Sequence, residues 1–311
     1  MNEQQQYVIG VDGGGSKTHA LLASTDGTAC AERIGGPSNL QTVGVQKAAE
    51  TIFQLIVECC EWEKCKPDAV QNVVVGLAGA GRTQDRTAFA EALNALGQSR
   101  SFPFKNIIVE TDAHIALVAA IPGSSGIVVI GGTGSIAMYR TKDGRTLRAG
   151  GWGRVLGDEG SGYAIARDAL AAVMRQYDGR GEQTALTERA LQQFRVDAVE
   201  DLIPKIQYEG VDITSFAQKV LLVAAKNDAG ANAILQKNAD EIVKLVQTLF
   251  NQSPPRGKVA VVFMGGMLDN ENEYSTIVKQ KVAATLPQVL IMKPKFPAAF
   301  GAAIIGLNAF Q

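Results

Sequence analysis

The sequence predicts an α/β fold in two domains of one plan, and three observations carry that prediction. The first half reads as three strands, a helix, a strand, a helix, a strand and a helix, and the second half opens on the same order. Each half begins with a glycine-rich strand–turn–strand hairpin, Asp12-Gly13-Gly14-Gly15-Ser16-Lys17-Thr18 in one and Gly131-Gly132-Thr133-Gly134-Ser135 in the other. Finally, 311 residues exceed one ordinary domain, and 46% hydrophobic with 20% charged residues is a core-forming balance.

In the first half, Tyr7 to Val11 is an apolar strand, the glycine loop follows, and His19 to Ala23 is a second strand. A Thr25-Asp26-Gly27-Thr28 turn returns the chain as a third strand near residues 29–34. Past the loop Gly35-Gly36-Pro37-Ser38-Asn39, residues 43–63 place Ala48, Ala49, Ile52, Phe53, Ile56 and Cys60 on one helical face. Val73 to Val75 is a strand leading to Gly79-Ala80-Gly81-Arg82, and residues 84–96 are helical, with Gly97 expected as the C-cap. Ile107 to Glu110 is the next strand. It delivers Thr111-Asp112 into a helix that stops at Pro122-Gly123, so Asp112 stands where an N-cap is wanted.

The second half has strands at 127–130, 136–140 and about 145–149, then a helix from Gly162 with Ile165, Ala169, Leu170 and Val173 in period. An all-helical insertion of roughly residues 180–251 precedes the strand Val259 to Met264, which runs into Gly265-Gly266. A helix at about 274–284, a strand Val289 to Ile291 and a last helix from Ala298 complete the chain. The expected division is an N-terminal domain of residues 1–120 and a C-terminal domain of 121–297, with the last helix, about 298–311, free to pack back on the first.

The chemistry concentrates between residues 127 and 163. Ten of the 33 glycines lie between Gly131 and Gly162, more than hairpin turns require, because a turn needs positive φ at only one or two positions. A ligand close to this backbone is therefore expected. The hairpin is not a Walker A loop, which needs Gly-Lys-Ser/Thr opening a helix; here backbone N–H groups and the Thr133 hydroxyl are offered to an anion. Farther on, Gly150-Gly151-Trp152-Gly153 and Gly157-Asp158-Glu159-Gly160-Ser161-Gly162 run into the helix. Asp158 reads as a ligand contact, and Glu159 equally suits a negative charge at a helix N-terminus.

Charge and cysteine usage narrow the class. Thirty basic against 31 acidic residues and a pI near 6.2 leave no basic footprint for nucleic acid or an anionic membrane. The start MNEQQQ has neither a charged n-region nor an apolar h-region, and apolar runs such as 115–122 fall far short of the ~18 residues a span needs, so a cytoplasmic protein is expected. Cys30, Cys59, Cys60 and Cys65 contain no CxxC pair and read as packing thiols rather than zinc or iron–sulfur ligands.

Four motifs, IGVDGGGSKT at 9–18, TDA at 111–113, GGTGS at 131–135 and GGWGRVLGDEGSGY at 150–163, together resemble the N-acetylglucosamine kinase branch of the BadF/BadG/BcrA/BcrD-type ATPase family. The likeness covers nearly the whole chain and is weakest at about 180–255; GTGS followed by GGWG and GDEGSGY in this spacing is its specific part. It implies two ribonuclease H-like (actin-like ATPase) domains with a cleft between them, ATP and Mg²⁺ as cofactors, and a small-molecule amino sugar as partner. Asp12 would then hold Mg²⁺ through water, while Gly13, Gly14, Gly15, Ser16 and Lys17 wrap the nucleotide phosphates. Thr133 and Gly134 would form the second phosphate hairpin, and Gly265 and Gly266 would lie on the adenosine side. On the sugar, Asn39, Ser135, Gly151, Trp152 and Asp158 would line or hydrogen-bond the pocket, and Asp112 matches the catalytic base. Ile136 stands where animal N-acetylglucosamine kinases carry an Asn that helps hold the sugar. Since Ile neither donates nor accepts, the sugar stays open among N-acetylglucosamine, N-acetylmuramic acid and glucosamine.

The implied chemistry is phosphoryl transfer from MgATP to a hexosamine hydroxyl, the 6-hydroxyl being expected, with the protein positioning reactants and one carboxylate taking the proton. Three rival classes remain to be weighed. An ATP-hydrolysing activator of the BadF type holds an iron–sulfur cluster, and no cysteine here lies near the second hairpin. The repressor/sugar-kinase group would bring a cysteine-rich zinc loop that this sequence lacks. An actin-like binding protein leaves Asp112, Asp158 and the GGWG turn unexplained. A homodimer stays open.

Overall fold

The computed structural model describes residues 5–255 and 257–310; the first four residues of the MNEQQQ stretch and Gln311, the end of the last expected helix, lie outside the described residues. The chain divides into two compact units, one being Ser125–Lys293 and the other the chain up to Ser124 together with the segment from Pro294 onward. Within the first unit run β1 (Tyr7–Gly13), β2 (Thr18–Ser24), β3 (Ala29–Gly35), α1 (Leu40–Glu63), β4 (Val70–Leu77), α2 (Thr83–Ser99), β5 (Ile107–Thr111) and α3 (Asp112–Ala120). The second unit holds β6 (Gly126–Gly131), β7 (Ser135–Arg140), β8 (Thr146–Gly150), α4 (Gly162–Tyr177), α5 (Leu186–Phe194), α6 (Leu202–Gln207), α7 (Ala217–Ala224), α8 (Ala229–Gln252), β9 (Val259–Met264), α9 (Glu273–Thr285) and β10 (Val289–Met292). The last helix, α10 (Ala298–Asn308), belongs to the first unit.

Both sheets have one topology. Their orders are β3-β2-β1-β4-β5 and β10-β9-β6-β7-β8: in each, the first strand sits at the centre between its hairpin partner and a later parallel strand. The tight hairpins force antiparallel pairing of the first three strands, whereas the helical connections return the chain for parallel pairing on the other side. Strand alternation then gives each sheet two buried faces. In the first unit Ile9, Val11, Val73 and Val75 meet α1 and α2 through Ile52, Ile56, Phe89 and Leu93. The opposite face, Val8, Leu21 and Val74, is covered by α3 and α10 through Ile115, Ala299, Ala302 and Ala303. Those two helices touch backbone to backbone, since a Cβ on Gly301 would lie 1.9 Å from the Ile115 carbonyl oxygen. The helical insertion of the second unit packs α5, α7 and α8 on α4 and the sheet, with Phe194 and Phe216 ring centroids 5.7 Å apart.

Three local expectations are corrected. Helix α2 runs on through Ser99 and closes at Arg100, so Gly97 is an interior residue and not a cap. It is small because a Cβ there would lie 2.6 Å from the Phe102 carbonyl oxygen and from the Phe104 ring. Helix α1 begins at Leu40, ahead of the amphipathic run, because Asn39 caps it; Gly44, at φ 77°, breaks it before the periodic part starts. Finally, the N-cap of α3 is Thr111, whose Oγ1 accepts the His114 N–H at 3.2 Å, and Asp112 is the first helical residue.

Candidate active site

In the first unit the carboxyl ends of β1, β4 and β5 stand level, with Gly13 paired to Leu77 and Leu77 to Thr111. Asp12 precedes that row on β1 and Asp112 follows it on β5, the middle strand lying between them. Ligands of open α/β sheets gather at such ends. The Asp12 carboxyl is pushed up to about 6, first by burial and then by the negative charge of Asp112, against the pull of His19 and Lys17. Burial also raises Asp112, partly offset by the Ala113 N–H, which donates to its Oδ1 at 2.8 Å. Since Thr111 takes the capping role, the donors reaching the Asp112 carboxylate among the described residues are backbone N–H groups at its own helix start. The carboxylate keeps acceptor capacity to spare.

The loop after β1 is fixed from below. The Gly14 N–H donates to the Lys17 carbonyl at 3.0 Å, and the Ser38 N–H to the Gly14 carbonyl at 3.0 Å. Beneath it, the buried Thr18 hydroxyl donates to the Gly36 carbonyl at 2.6 Å and lies 2.7 Å from the buried Ser38 hydroxyl. Gly15, Ser16 and Lys17 are left exposed at the tip. Asn39 uses its side-chain oxygen to cap α1, accepting from the Gln41 N–H at 2.9 Å, while its Nδ2 lies 3.9 Å from where a Gly15 Cβ would be. The turn role therefore accounts for half of the Asn39 side chain and leaves the amide nitrogen at the loop.

The second unit assembles its own set. The Gly162 and Tyr163 N–H groups at the start of α4 donate to the Gly132 and Thr133 carbonyls at 2.8 and 3.3 Å, and Thr133 itself is exposed on the hairpin. Asp158, at φ 59°, turns its carboxylate onto this hairpin: a Cβ on Gly134 would lie 2.7 Å from Asp158 Oδ2. Burial raises its pKa while backbone N–H groups of Ser135 and Gly153 and the charge of Arg148 hold it down. The buried Ser135 hydroxyl donates to the Glu159 carbonyl at 2.6 Å, so it serves the loop. On the other flank, Gly265 at φ 86° is forced to be glycine, because a Cβ would sit 2.6 Å from the Gly131 carbonyl oxygen. Gly266 beside it is exposed. Gly151 rests on Ile136, whose Cδ1 would be 2.7 Å from a Cβ there, and Trp152 projects with 66% of its surface exposed.

Thus Asp12, Gly13, Gly14, Gly15, Ser16, Lys17, Asn39 and Asp112 form one cluster in the first unit. Thr133, Gly134, Ser135, Gly151, Trp152, Asp158, Gly265 and Gly266 surround one hairpin in the second. Several supporting residues gave no sequence signal. Tyr274 donates its hydroxyl to the Gly160 carbonyl at 2.6 Å, and Asn238 Oδ1 accepts the Gly160 N–H at 3.3 Å, both from helices remote in sequence. Arg148 ties down the Gly150-Gly151 carbonyls. All four cysteines are free thiols in the first unit, Cys59 and Cys60 buried and Cys30 and Cys65 half-buried. Among the described residues no helix is long and apolar enough to cross a membrane.

The profile of the BadF/BadG/BcrA/BcrD ATPase family matches residues 9–306. The chain is 36% identical, over 96% of its length and 98% of the other, to an N-acetylmuramic acid/N-acetylglucosamine kinase of Clostridium acetobutylicum. It is 28% identical to an N-acetyl-D-glucosamine kinase of Dictyostelium discoideum, covering 98% and 99% of the two chains. A crystal structure of a candidate N-acetylglucosamine kinase from Chromobacterium violaceum superimposes with a TM-score of 0.76 at 26% identity, covering 97% and 99%.

Proposed function

This chain belongs to the BadF/BadG/BcrA/BcrD ATPase family, and on that premise we propose that it is an ATP-dependent kinase of an N-acetylated amino sugar, phosphorylating the 6-hydroxyl with Asp112 as general base. The observation that carries the proposal is the state of Asp112: at a strand end, relieved of capping by Thr111, with acceptor capacity free and its pKa raised by burial. A raised pKa makes a carboxylate a better proton acceptor, and general-base catalysis needs one that can take the hydroxyl proton as the phosphoryl group moves.

The remaining residues position. Gly13 to Lys17 and the Thr133-Gly134 turn each offer backbone N–H groups and a hydroxyl suited to phosphate oxygens. Gly265 and Gly266 leave bare backbone for a flat base. Asn39, Ser135, Gly151, Trp152 and Asp158 are assigned to the sugar: the Asn39 amide as a donor, Asp158 as an acceptor from sugar hydroxyls, Trp152 as a wall, and Ser135 as the strut of the loop. Mg²⁺ fits Asp12, whose buried carboxylate faces a second negative group without an ion-pair partner among the described residues; one or two carboxylates with water ligands suffice for this ion. Bound there with nucleotide, it would neutralise phosphate charge.

The test is Asp112→Asn. Because Asn cannot accept the proton, kcat is expected to fall by roughly two to four orders of magnitude with the sugar KM moving much less. A variant that keeps most of its kcat removes Asp112 from the base role and makes Asp158 the carboxylate to examine next.

A further inference from the structure

The loop that carries Asp158 is gripped along two peptide units from three separate elements. Residues 158–161 close a turn, the Ser161 N–H donating to the Asp158 carbonyl at 3.1 Å, and Gly160, third of the four, takes φ 77°, the positive value a type II turn demands there. The middle peptide of that turn joins Glu159 to Gly160. Its carbonyl accepts the Ser135 hydroxyl at 2.6 Å, and its N–H donates to Asn238 Oδ1, on α8, at 3.3 Å. The next carbonyl, that of Gly160, accepts the hydroxyl of Tyr274, on α9, at 2.6 Å. Types I and II differ in the orientation of the middle peptide, so bonds at both its ends select one of them.

Both helix side chains are buried, and the Asn238 amide is aimed. Its Nδ2 donates to the Ile234 carbonyl at 3.0 Å and to Asp168 Oδ2 at 3.2 Å, and Asp168 is itself held by Lys237 at 2.8 Å, which leaves Oδ1 for Gly160. Gly160 lies flush on α8, since a Cβ there would sit 2.5 Å from Ile242 Cγ1 and 2.8 Å from the Asn238 carbonyl oxygen. The selected turn matters for Asp158. At φ 59° this residue holds a left-handed conformation that a non-glycine residue keeps only where its surroundings impose it, and from there its carboxylate lies over Gly134. The phosphate hairpin has bonds of its own that do not pass through this clamp: the Gly132 N–H donates to the Gly134 carbonyl and the Met267 N–H to the Gly131 carbonyl, each at 2.9 Å.

We propose that Tyr274 and Asn238 are positioning residues for the sugar: by fixing the turn that begins at Asp158, they hold its carboxylate where sugar hydroxyls donate to it. This rests on the assignment of Asp158 to the sugar. Buried as they are, the two side chains act through the backbone of residues 159 and 160. Loss of either leaves the Asp158 carboxylate present but loosely aimed, and leaves the phosphate hairpin as it was.

The experiment is a coupled ADP-release assay on the amino sugar that wild type turns over fastest, run for wild type, Tyr274→Phe, Asn238→Ala, Asp158→Asn and the double variant Tyr274→Phe/Asp158→Asn. Phe keeps the ring in the core and removes the hydroxyl, while Ala at 238 removes the acceptor from the other helix, so one folded variant suffices. In each of Tyr274→Phe and Asn238→Ala, kcat/KM for the sugar should fall about tenfold, chiefly through KM, while the KM for ATP stays within about twofold of wild type. In the Asp158→Asn background the Tyr274→Phe change should cost less than about twofold, because the carboxylate it aims is already gone. An unchanged sugar KM overturns the proposal. So does a loss shared equally between sugar and ATP, or an undiminished loss in the Asp158→Asn background, either of which makes the two residues supports of the fold alone. If wild type phosphorylates no amino sugar, the kinase reading fails and this proposal falls with it.

Discussion

Replacing Asp12 by Asn asks whether this carboxylate is kept for a cation or for the fold. Burial and Asp112 move it from 3.8 to about 6, and a shift of about 2 pKa units corresponds to about 3 kcal/mol between the charged and neutral forms. The folded state binds this proton more tightly than the unfolded chain, so stability declines as pH rises between about 4 and 6 and stays lower above that window. Asn carries no charge at any pH. With the cation chelated, Asp12→Asn should therefore be the more stable protein at pH 7.5, by about 1–3 kcal/mol once solvent relaxation is allowed for, and the gap should close near pH 4. Urea unfolding at the two pH values, followed by the midpoint at constant m, reads the difference directly. Mg²⁺ with nucleotide should then stabilise wild type more than the variant. A variant that is less stable at pH 7.5, or a gap that ignores pH, would mean that Asp12 is held by structural hydrogen bonds and would refute the reasoning.

Two further substitutions probe the hairpin and the frame. Thr133→Val keeps the shape and removes the hydroxyl; losing a hydrogen bond to a charged group is worth roughly 1.5–3 kcal/mol, so kcat/KM for ATP should drop roughly 10- to 100-fold with an unchanged circular dichroism spectrum, and an unaltered value returns the hairpin to a structural role. Gly301→Ala puts a methyl group 1.9 Å from the Ile115 carbonyl oxygen, so α10 must lift from α3; a loss of stability on the order of 1–3 kcal/mol is expected, read as a clear fall in the thermal midpoint, and an unmoved midpoint would contradict the packing described here.

Much of the fold was legible because period and punctuation agree. Ile127 to Ile130 and Ile136 to Tyr139 alternate or run apolar between glycine turns, and both became β6 and β7 within a residue or two of expectation. Strand order was not legible, since nothing local encodes which strand lies beside β1; it follows from the helical crossovers. Two local cap readings, Gly97 as a C-cap and Asp112 as an N-cap, failed for a shared reason. A glycine near a helix end and an Asp at a helix start are each ambiguous between a local backbone role and a tertiary one, and at both positions the tertiary surroundings decide: Phe102 and Phe104 crowd Gly97, and Thr111 takes the cap. At the site, the glycine loops and acidic residues were visible as motifs. Tyr274 and Asn238 were not, because each acts through a side chain brought in from a separate element onto the Gly160 backbone, and Arg148 was not, because a strand arginine that reaches the carbonyls two and three residues ahead carries no motif of its own.

The most direct measurement is a coupled ADP-release assay on the purified protein with MgATP across N-acetylglucosamine, N-acetylmuramic acid, glucosamine and glucose. At least one N-acetylated amino sugar is expected to raise ADP release far above the rate without sugar, with phosphorus NMR of the product showing a 6-phosphate. Fast ADP release that is indifferent to every sugar would contradict the kinase reading and point instead to an ATPase that uses hydrolysis as a conformational switch.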